Sequence, residues 1–149
     1  MDERNISAAE RTIGYLLRLP YERLSERVYG ALAAQGFPDI RPAHSAVFRH
    51  IAGSGSRVSD LAERARMTKQ SMAYLVEALA SAGYVAATPD PADGRAKLVR
   101  LTRRGRAVSE TLVRLSREAE EELAARLPPG RMAALRRLLG ELAEVLERS

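Results

Sequence analysis

Cysteine and tryptophan are absent from this 149-residue chain, and it holds only two lysines and two histidines. Without cysteine, disulfides, thiol redox sensing and cysteine-based zinc centres are excluded. The histidines, His44 and His50, are six residues apart. On a helix that spacing turns them about 120° from one another, so they cannot chelate one ion unaided. No metal or cofactor is expected. No apolar run approaches the ~18 residues of a membrane span, so none is expected. The opening Met1-Asp2-Glu3-Arg4-Asn5 is acidic and polar and lacks the apolar segment of a secretory signal. These absences lead to the expectation of a soluble cytoplasmic protein. The catalytic signatures are missing too: no Gly-x-Ser-x-Gly, no P-loop and no His-Glu-x-x-His. Gly53-Ser54-Gly55-Ser56 lacks the third glycine of a dinucleotide loop. An enzyme is not expected.

What is present is arginine, and its distribution is uneven. It supplies 22 of the 24 basic residues, and the formal net charge is +5. From Arg57 to Arg106 there are ten basic residues and five acidic ones, while the remainder of the chain is neutral. All the excess positive charge therefore lies in one central third. Such a block is the electrostatic footprint of a polyanionic partner. On charge alone, a solvated basic face is an equally good reading.

The chain length suits one domain over 1–149. Ile13, Leu17, Leu24, Val28 and Leu32 form a helical stripe, which predicts mostly helix over 6–34. Pro20 should kink it or break it in two. After Gly36-Phe37-Pro38-Asp39, a short helix is expected over Pro42–Ala52 with Ala46, Val47 and Ile51 inward, then a turn at Gly53-Ser54-Gly55-Ser56. Two helices follow in close succession. Ser59 can cap the first, which ends near Ala65, and Thr68 can cap the second, which runs to about Ala82. Met72, Leu75, Val76 and Leu79 give the second an apolar stripe, and Gly83 ends it. Tyr84–Pro89 and Arg95–Leu101 read as strands around the turn-rich Asp90-Pro91-Ala92-Asp93-Gly94. A helix-turn-helix followed by a β-hairpin is a winged helix-turn-helix. Thr102 can cap a long helix to about Leu127, and Pro128-Pro129-Gly130 ends it. In the last helix Met132, Leu135, Leu139, Leu142 and Leu146 alternate three and four apart, the seam of helices paired along their length. That seam favours contact between subunits over packing within one chain.

The expected fold is therefore mainly α with a small β-wing. A winged helix-turn-helix lobe (36–101) is flanked by helical segments (1–35 and 102–149) that form a dimerisation lobe. A recognition helix reads DNA because its first turns reach base edges in the major groove. Lys69 can reach phosphate or guanine, Gln70 can pair with adenine, Ser71 is permissive, and Tyr74 can meet phosphate or a thymine methyl. Arg57 lies just before the preceding helix, Arg64 on it and Lys97 on the wing. A wing can lower an arginine into the minor groove, where the potential is negative. Arg95 stands just past the turn, and Asp93, two residues earlier, is placed to pair with it and hold it extended. The bland alternative is a set of polar residues on a solvated face.

Three stretches together resemble the MarR family: Leu61-Ala62-Glu63-Arg64, Met67-Thr68-Lys69-Gln70-Ser71-Met72, and Asp90-Pro91-Ala92-Asp93-Gly94-Arg95-Ala96-Lys97-Leu98-Val99-Arg100-Leu101-Thr102 followed by Gly105. The wing stretch is the specific part, matching an Asp-Pro-x-Asp-x-Arg pattern that runs into Val-x-Leu-Thr-x-x-Gly. The resemblance implies a homodimeric regulator, expected to be a repressor, that binds an inverted repeat in double-stranded DNA. It makes Thr68–Tyr74 the reading start of the fourth helix and Arg95 the minor-groove probe. It implies release by a small aromatic or phenolic ligand between the DNA-binding lobe and the dimer helices. Tyr15, Tyr21, His44 and Phe48 are the candidate lining, although His44 reads more readily as a half-buried histidine bonded to backbone, and Tyr15 and Tyr21 read equally as dimer packing. Two positions depart from the pattern. Gly94 replaces a second wing arginine, and Arg66 stands where relatives often have glycine. A winged helix that binds protein or RNA is the competing reading.

Overall fold

The computed structural model describes residues 11–149. Six α-helices and one two-stranded antiparallel sheet follow in the order α1 (Ile13–Ala34), α2 (Ser45–Phe48), α3 (Val58–Ala65), α4 (Lys69–Ser81), β1 (Val85–Pro89), β2 (Lys97–Leu101), α5 (Arg103–Arg126) and α6 (Arg131–Glu147). This is the winged helix-turn-helix layout, with long helices before and after it. The part of the expected first helix over 6–10 lies outside the described residues.

Helix α1 starts at Thr12, whose hydroxyl accepts the Tyr15 N–H. It runs unbroken through Pro20, so the predicted break into two helices does not occur. A proline removes only the bond to the carbonyl four residues back. Here that carbonyl belongs to Leu16, on an exposed stretch where water can replace the lost donor. The apolar stripe divides along its length. Val28 and Leu32 are buried, whereas Ile13, Leu17 and Leu24 remain exposed.

The segment before α2 is a 3-10 turn over Pro42–His44, which shortens the α-helix expected there. His44 closes the turn on itself: the Arg41 N–H donates to His44 Nδ1 at 2.9 Å. Burial, and secondarily the Arg41 charge, hold the imidazole below its usual range.

Helix α3 has Arg57 at its N-cap with no side-chain cap, and Ser59 lies inside the first turn. The expected Ser59 cap is therefore not made. Helix α4 is capped as expected, with Thr68 Oγ1 accepting the Ser71 N–H at 3.1 Å. Both helices end in the same way. Gly83 lies at φ +83°, and the Tyr84 and Gly83 N–H groups reach back to the carbonyls of Leu79 and Ala80. At the end of α3 the same pair of bonds runs from Met67 to Ala62 and from Arg66 to Glu63, but the left-handed residue is Arg66, at φ +54°. A residue with a Cβ in that conformation costs about 1–2 kcal/mol.

In the hairpin Val85 pairs with Leu101 and Pro89 with Lys97, one to two residues shorter at each strand than expected. Asp90–Ala96 closes it. The Asp90 N–H donates to the Ala96 carbonyl at 2.9 Å, and the Ala96 N–H donates to that of Asp93. Ser56, expected only as a turn residue, exchanges backbone bonds of 2.9 and 2.8 Å with Val99 and so forms a single bridge on the outer edge of β2.

One buried cluster joins all of this. Leu32 of α1, Val47 of α2, Leu61 of α3, Met72 and Leu79 of α4, Val99 of β2 and Val108 of α5 are almost wholly enclosed. Gly105 lets the first turn of α5 approach this core, for a Cβ there would lie 2.0 Å from the Tyr84 carbonyl oxygen.

Three outcomes follow for stability. Gly105→Ala should cost about 3 kcal/mol in urea unfolding, because the obstruction is backbone and cannot swing away. Arg66→Gly should raise stability by roughly 0.5–1 kcal/mol, since glycine adopts φ > 0 without the Cβ clash. His44 has a folded-state pKa below its unfolded value, so its contribution is present above about pH 6.5 and is lost as acid protonates the imidazole. Unfolding measured from pH 7.5 down to 5 should show this slope, reduced in His44→Gln.

Candidate nucleic-acid interface

The start of α4 is the most exposed part of the helix-turn-helix. Met72, Val76 and Leu79 face the core, which turns Lys69, Gln70, Ser71 and Tyr74 outward. Tyr74 is 74% exposed although large and aromatic. Gln70, Ser71 and Tyr74 rim a shallow depression floored by Ala43, Met67 and Leu75. The Thr68 hydroxyl is engaged twice, accepting from the Ser71 N–H and donating to Ser71 Oγ at 2.8 Å. These two residues therefore shape the helix start, and Lys69, Gln70 and Tyr74 keep their polar ends available.

The wing presents Arg95 and Lys97, both exposed. Asp93 does not form the expected ion pair with Arg95. Its Oδ1 accepts the Arg95 backbone N–H at 3.1 Å, an Asx-type turn that sets the loop and leaves the guanidinium without a carboxylate partner among the described residues.

Two arginines expected at the interface have partners within the chain. Arg64 Nη1 donates to the His50 carbonyl at 3.1 Å. Arg57 Nε and Nη2 both donate to Asp90 Oδ2, at 2.9 and 2.6 Å. The other Asp90 oxygen accepts the Ala92 N–H at 2.9 Å. That backbone bond and then the Arg57 guanidinium hold the Asp90 carboxyl below the usual carboxylate range. In the sequence Asp90 carries only a turn signal, since its partner lies 33 positions away.

A second polar cluster was also missed. Tyr84 is fully buried, yet its hydroxyl donates to Asp39 Oδ1 and accepts from Arg104 Nη2 at 3.0 Å. The Arg104 guanidinium also lies 4.7 Å from the centre of the Tyr84 ring. This cluster ties the segment before α2, the end of α4 and the start of α5 together.

Away from the wing, α1, α2, α5 and α6 enclose an open, mainly apolar groove of about 1020 Å³. Tyr21 and Phe48 line it, as expected, but Tyr15 and His44 do not. Arg49 does, with Nη2 donating to the Tyr21 hydroxyl at 3.1 Å. Arg49 was not singled out in the sequence because one arginine among 22 carries no signal by itself. Among the described residues, no cluster of metal-ligating side chains occurs and no helix is long and apolar enough to cross a membrane.

The family model described as MarR family matches residues 39–96, from the turn before α2 to the end of the wing loop. No curated protein matches the sequence. Solved structures match over nearly the whole chain. A probable transcriptional regulator from Pseudomonas aeruginosa is 29% identical, with a TM-score of 0.65, covering 90% of this chain and 98% of that one. A Mycobacterium tuberculosis MarR family protein, in complex with salicylic acid, is 28% identical, with a TM-score of 0.65, covering 95% and 98%. The transcriptional repressor CouR, bound to a 23-mer DNA duplex, is 23% identical, with a TM-score of 0.70, covering 95% and 99%, and shares the fold. The matched helix-turn-helix and wing, together with the helices that frame them, give this chain the winged-helix fold of the MarR family transcription regulators to which it is similar.

Proposed function

We propose that this chain is a MarR family regulator that binds an inverted repeat in duplex DNA as a homodimer and represses transcription there. The single observation that carries the reading is the pairing of an outward, polar α4 start with a wing whose Arg95 is free of carboxylates among the described residues. Lys69 and Gln70 meet base edges and phosphate in the major groove, Tyr74 packs beside them, and Arg95 enters the adjacent minor groove with Lys97 on its backbone. Repression is the role printed for CouR, a protein of the same fold. A module that binds protein or RNA would need neither the wing arginine nor the polar helix start.

The homodimer is supported by apolar surface that one chain leaves open. Ile13 and Leu16 on α1 and Leu138, Val145 and Leu146 on α6 are all exposed. Patches of this kind mark association surfaces. The segments 1–35 and 102–149 form the dimerisation lobe in this reading. The groove between α1 and α5 takes a small aromatic acid, with Tyr21 and Phe48 as walls and Arg49 as the counter-charge. Salicylic acid is the compound bound by the mycobacterial relative. Ligand binding lowers DNA affinity only if it favours a spacing of the two recognition helices that DNA does not.

Selection of DNA from sheared genomic fragments should recover two half-sites about 10 bp apart, centre to centre. Arg95→Ala should weaken binding to such sites and flatten the dependence on salt by about one counterion. Gln70→Ala should cost about 1–3 kcal/mol at one base position and alter preference there. Unchanged affinity in both variants contradicts the assigned reading surfaces. Titration calorimetry with salicylate and related aromatic acids tests the groove. Heat in wild type that is lost in Arg49→Gln supports it, and no heat in wild type contradicts it.

A further inference from the structure

We infer that the Arg57–Asp90 ion pair is a positioning device that sets the angle of the wing, and that Arg57 itself makes no phosphate contact. The inference rests on the reading above, in which Arg95 enters the minor groove.

Asp90 stands where β1 ends and the wing loop begins, and its side chain is 8% exposed. Every polar group it owns is committed. One carboxylate oxygen accepts both Arg57 donors, the other accepts the Ala92 N–H, its own N–H donates to Ala96, and its carbonyl accepts from Asp93. The loop is thus folded around this carboxylate. Arg57 holds it from outside the hairpin, at the N-cap of α3. The preceding residue, Ser56, is fixed to β2 by its two bonds with Val99. The neighbours Ser56 and Arg57 therefore grip the wing at two separated points, one on β2 and one on the loop. Two grips fix an angle where one would leave a hinge. Beyond Asp90 the loop residues Pro91–Arg95 are exposed, so the orientation of Arg95 is inherited from that grip.

The charge balance supports the same assignment. A guanidinium that already donates two bonds to a carboxylate adds little net positive charge for a phosphate to feel. It releases few counterions on binding. Removing Arg57, by contrast, strands a mostly buried carboxylate, and removing either partner loosens the loop.

The variants Asp90→Asn, Arg57→Gln, Arg57→Lys and Arg95→Ala, and the double variant Asp90→Asn/Arg95→Ala, decide the matter. Affinity for the duplex selected by wild-type protein is followed by fluorescence anisotropy over a range of salt, with thermal melts to confirm folding. Asp90→Asn removes a negative charge, yet it should weaken binding about tenfold and lower the salt slope by about one, as Arg95→Ala does, because the Arg57 grip on the loop is lost and the wing is no longer aimed. Arg57→Gln should match it, and Arg57→Lys, which keeps the charge opposite Asp90, should recover most of the loss. Once Arg95 is alanine, adding Asp90→Asn should change affinity less than about twofold, because both act through one wing contact. Tighter binding by Asp90→Asn, or a salt slope lowered in Arg57→Gln by about one more than in Arg95→Ala, would identify Arg57 as a phosphate ligand and overturn the inference. Additive losses in the double variant would overturn it too. Wild-type affinity in Arg95→Ala would instead remove the wing reading itself.

Discussion

The first turn of α5 rests on the carbonyl of Tyr84, and the remainder of the molecule is organised around that contact. Gly105 makes the approach possible, Thr102 donates its hydroxyl to the Gly83 carbonyl, and Tyr84 is enclosed between Arg104 and Phe37. The end of the recognition helix, the base of the wing and the start of the longest helix thus meet at one point. Helix α5 then carries that geometry away to the groove it forms with α1 and α6. A displacement of α5 cannot leave the end of α4 in place without breaking the Thr102–Gly83 and Arg104–Tyr84 contacts, and that is the mechanical condition for the proposed ligand in the groove to be felt at the proposed DNA surface.

The second organising feature is the division of the arginines. Composition shows one basic block, but the structure separates it into two groups with different work. Arg57, Arg64, Arg104 and Arg106 donate to a carboxylate, a phenol or backbone carbonyls within the chain. Arg66, Lys69, Arg95, Lys97, Arg100 and Arg103 have no ion-pair partner among the described residues, and of these Lys69 stands at the α4 start and Arg95, Lys97 and Arg100 on the wing. The net charge of the region draws in a polyanion over a Debye length. Only the unpartnered group has donors left to read it.

Much of this was legible beforehand because it depends on local chemistry. The cap at Thr68, the glycine stop at Gly83, the Thr102 start of α5 and the outward Lys69–Gln70 pair all follow from residues within one turn of each other. What was not legible depends on pairs far apart in the chain: Arg57 with Asp90, Tyr84 with Asp39, Ser56 with Val99. Asp93 was assigned to the Arg95 side chain because the two are neighbours. In the tight loop the nearer donor is the backbone N–H, and it wins. Pro20 was over-weighted for a related reason, since the cost of one missing bond is small where water can reach the carbonyl. Aromaticity points to four ligand candidates, of which Tyr21 and Phe48 line the groove and Tyr15 and His44 do not, while Arg49, which does, carries no aromatic signal.

The central claim is that α4 enters a major groove while the wing enters the neighbouring minor groove, twice over in one dimer. Dimethyl sulfate footprinting on the selected duplex separates the two grooves, because it modifies guanine N7 in the major groove and adenine N3 in the minor. Protection of guanine N7 in two patches about one helical turn apart, each flanked outwardly by protected adenine N3, is the expected pattern. Protection confined to one patch, or major-groove protection with adenine N3 left reactive on both flanks, would contradict it.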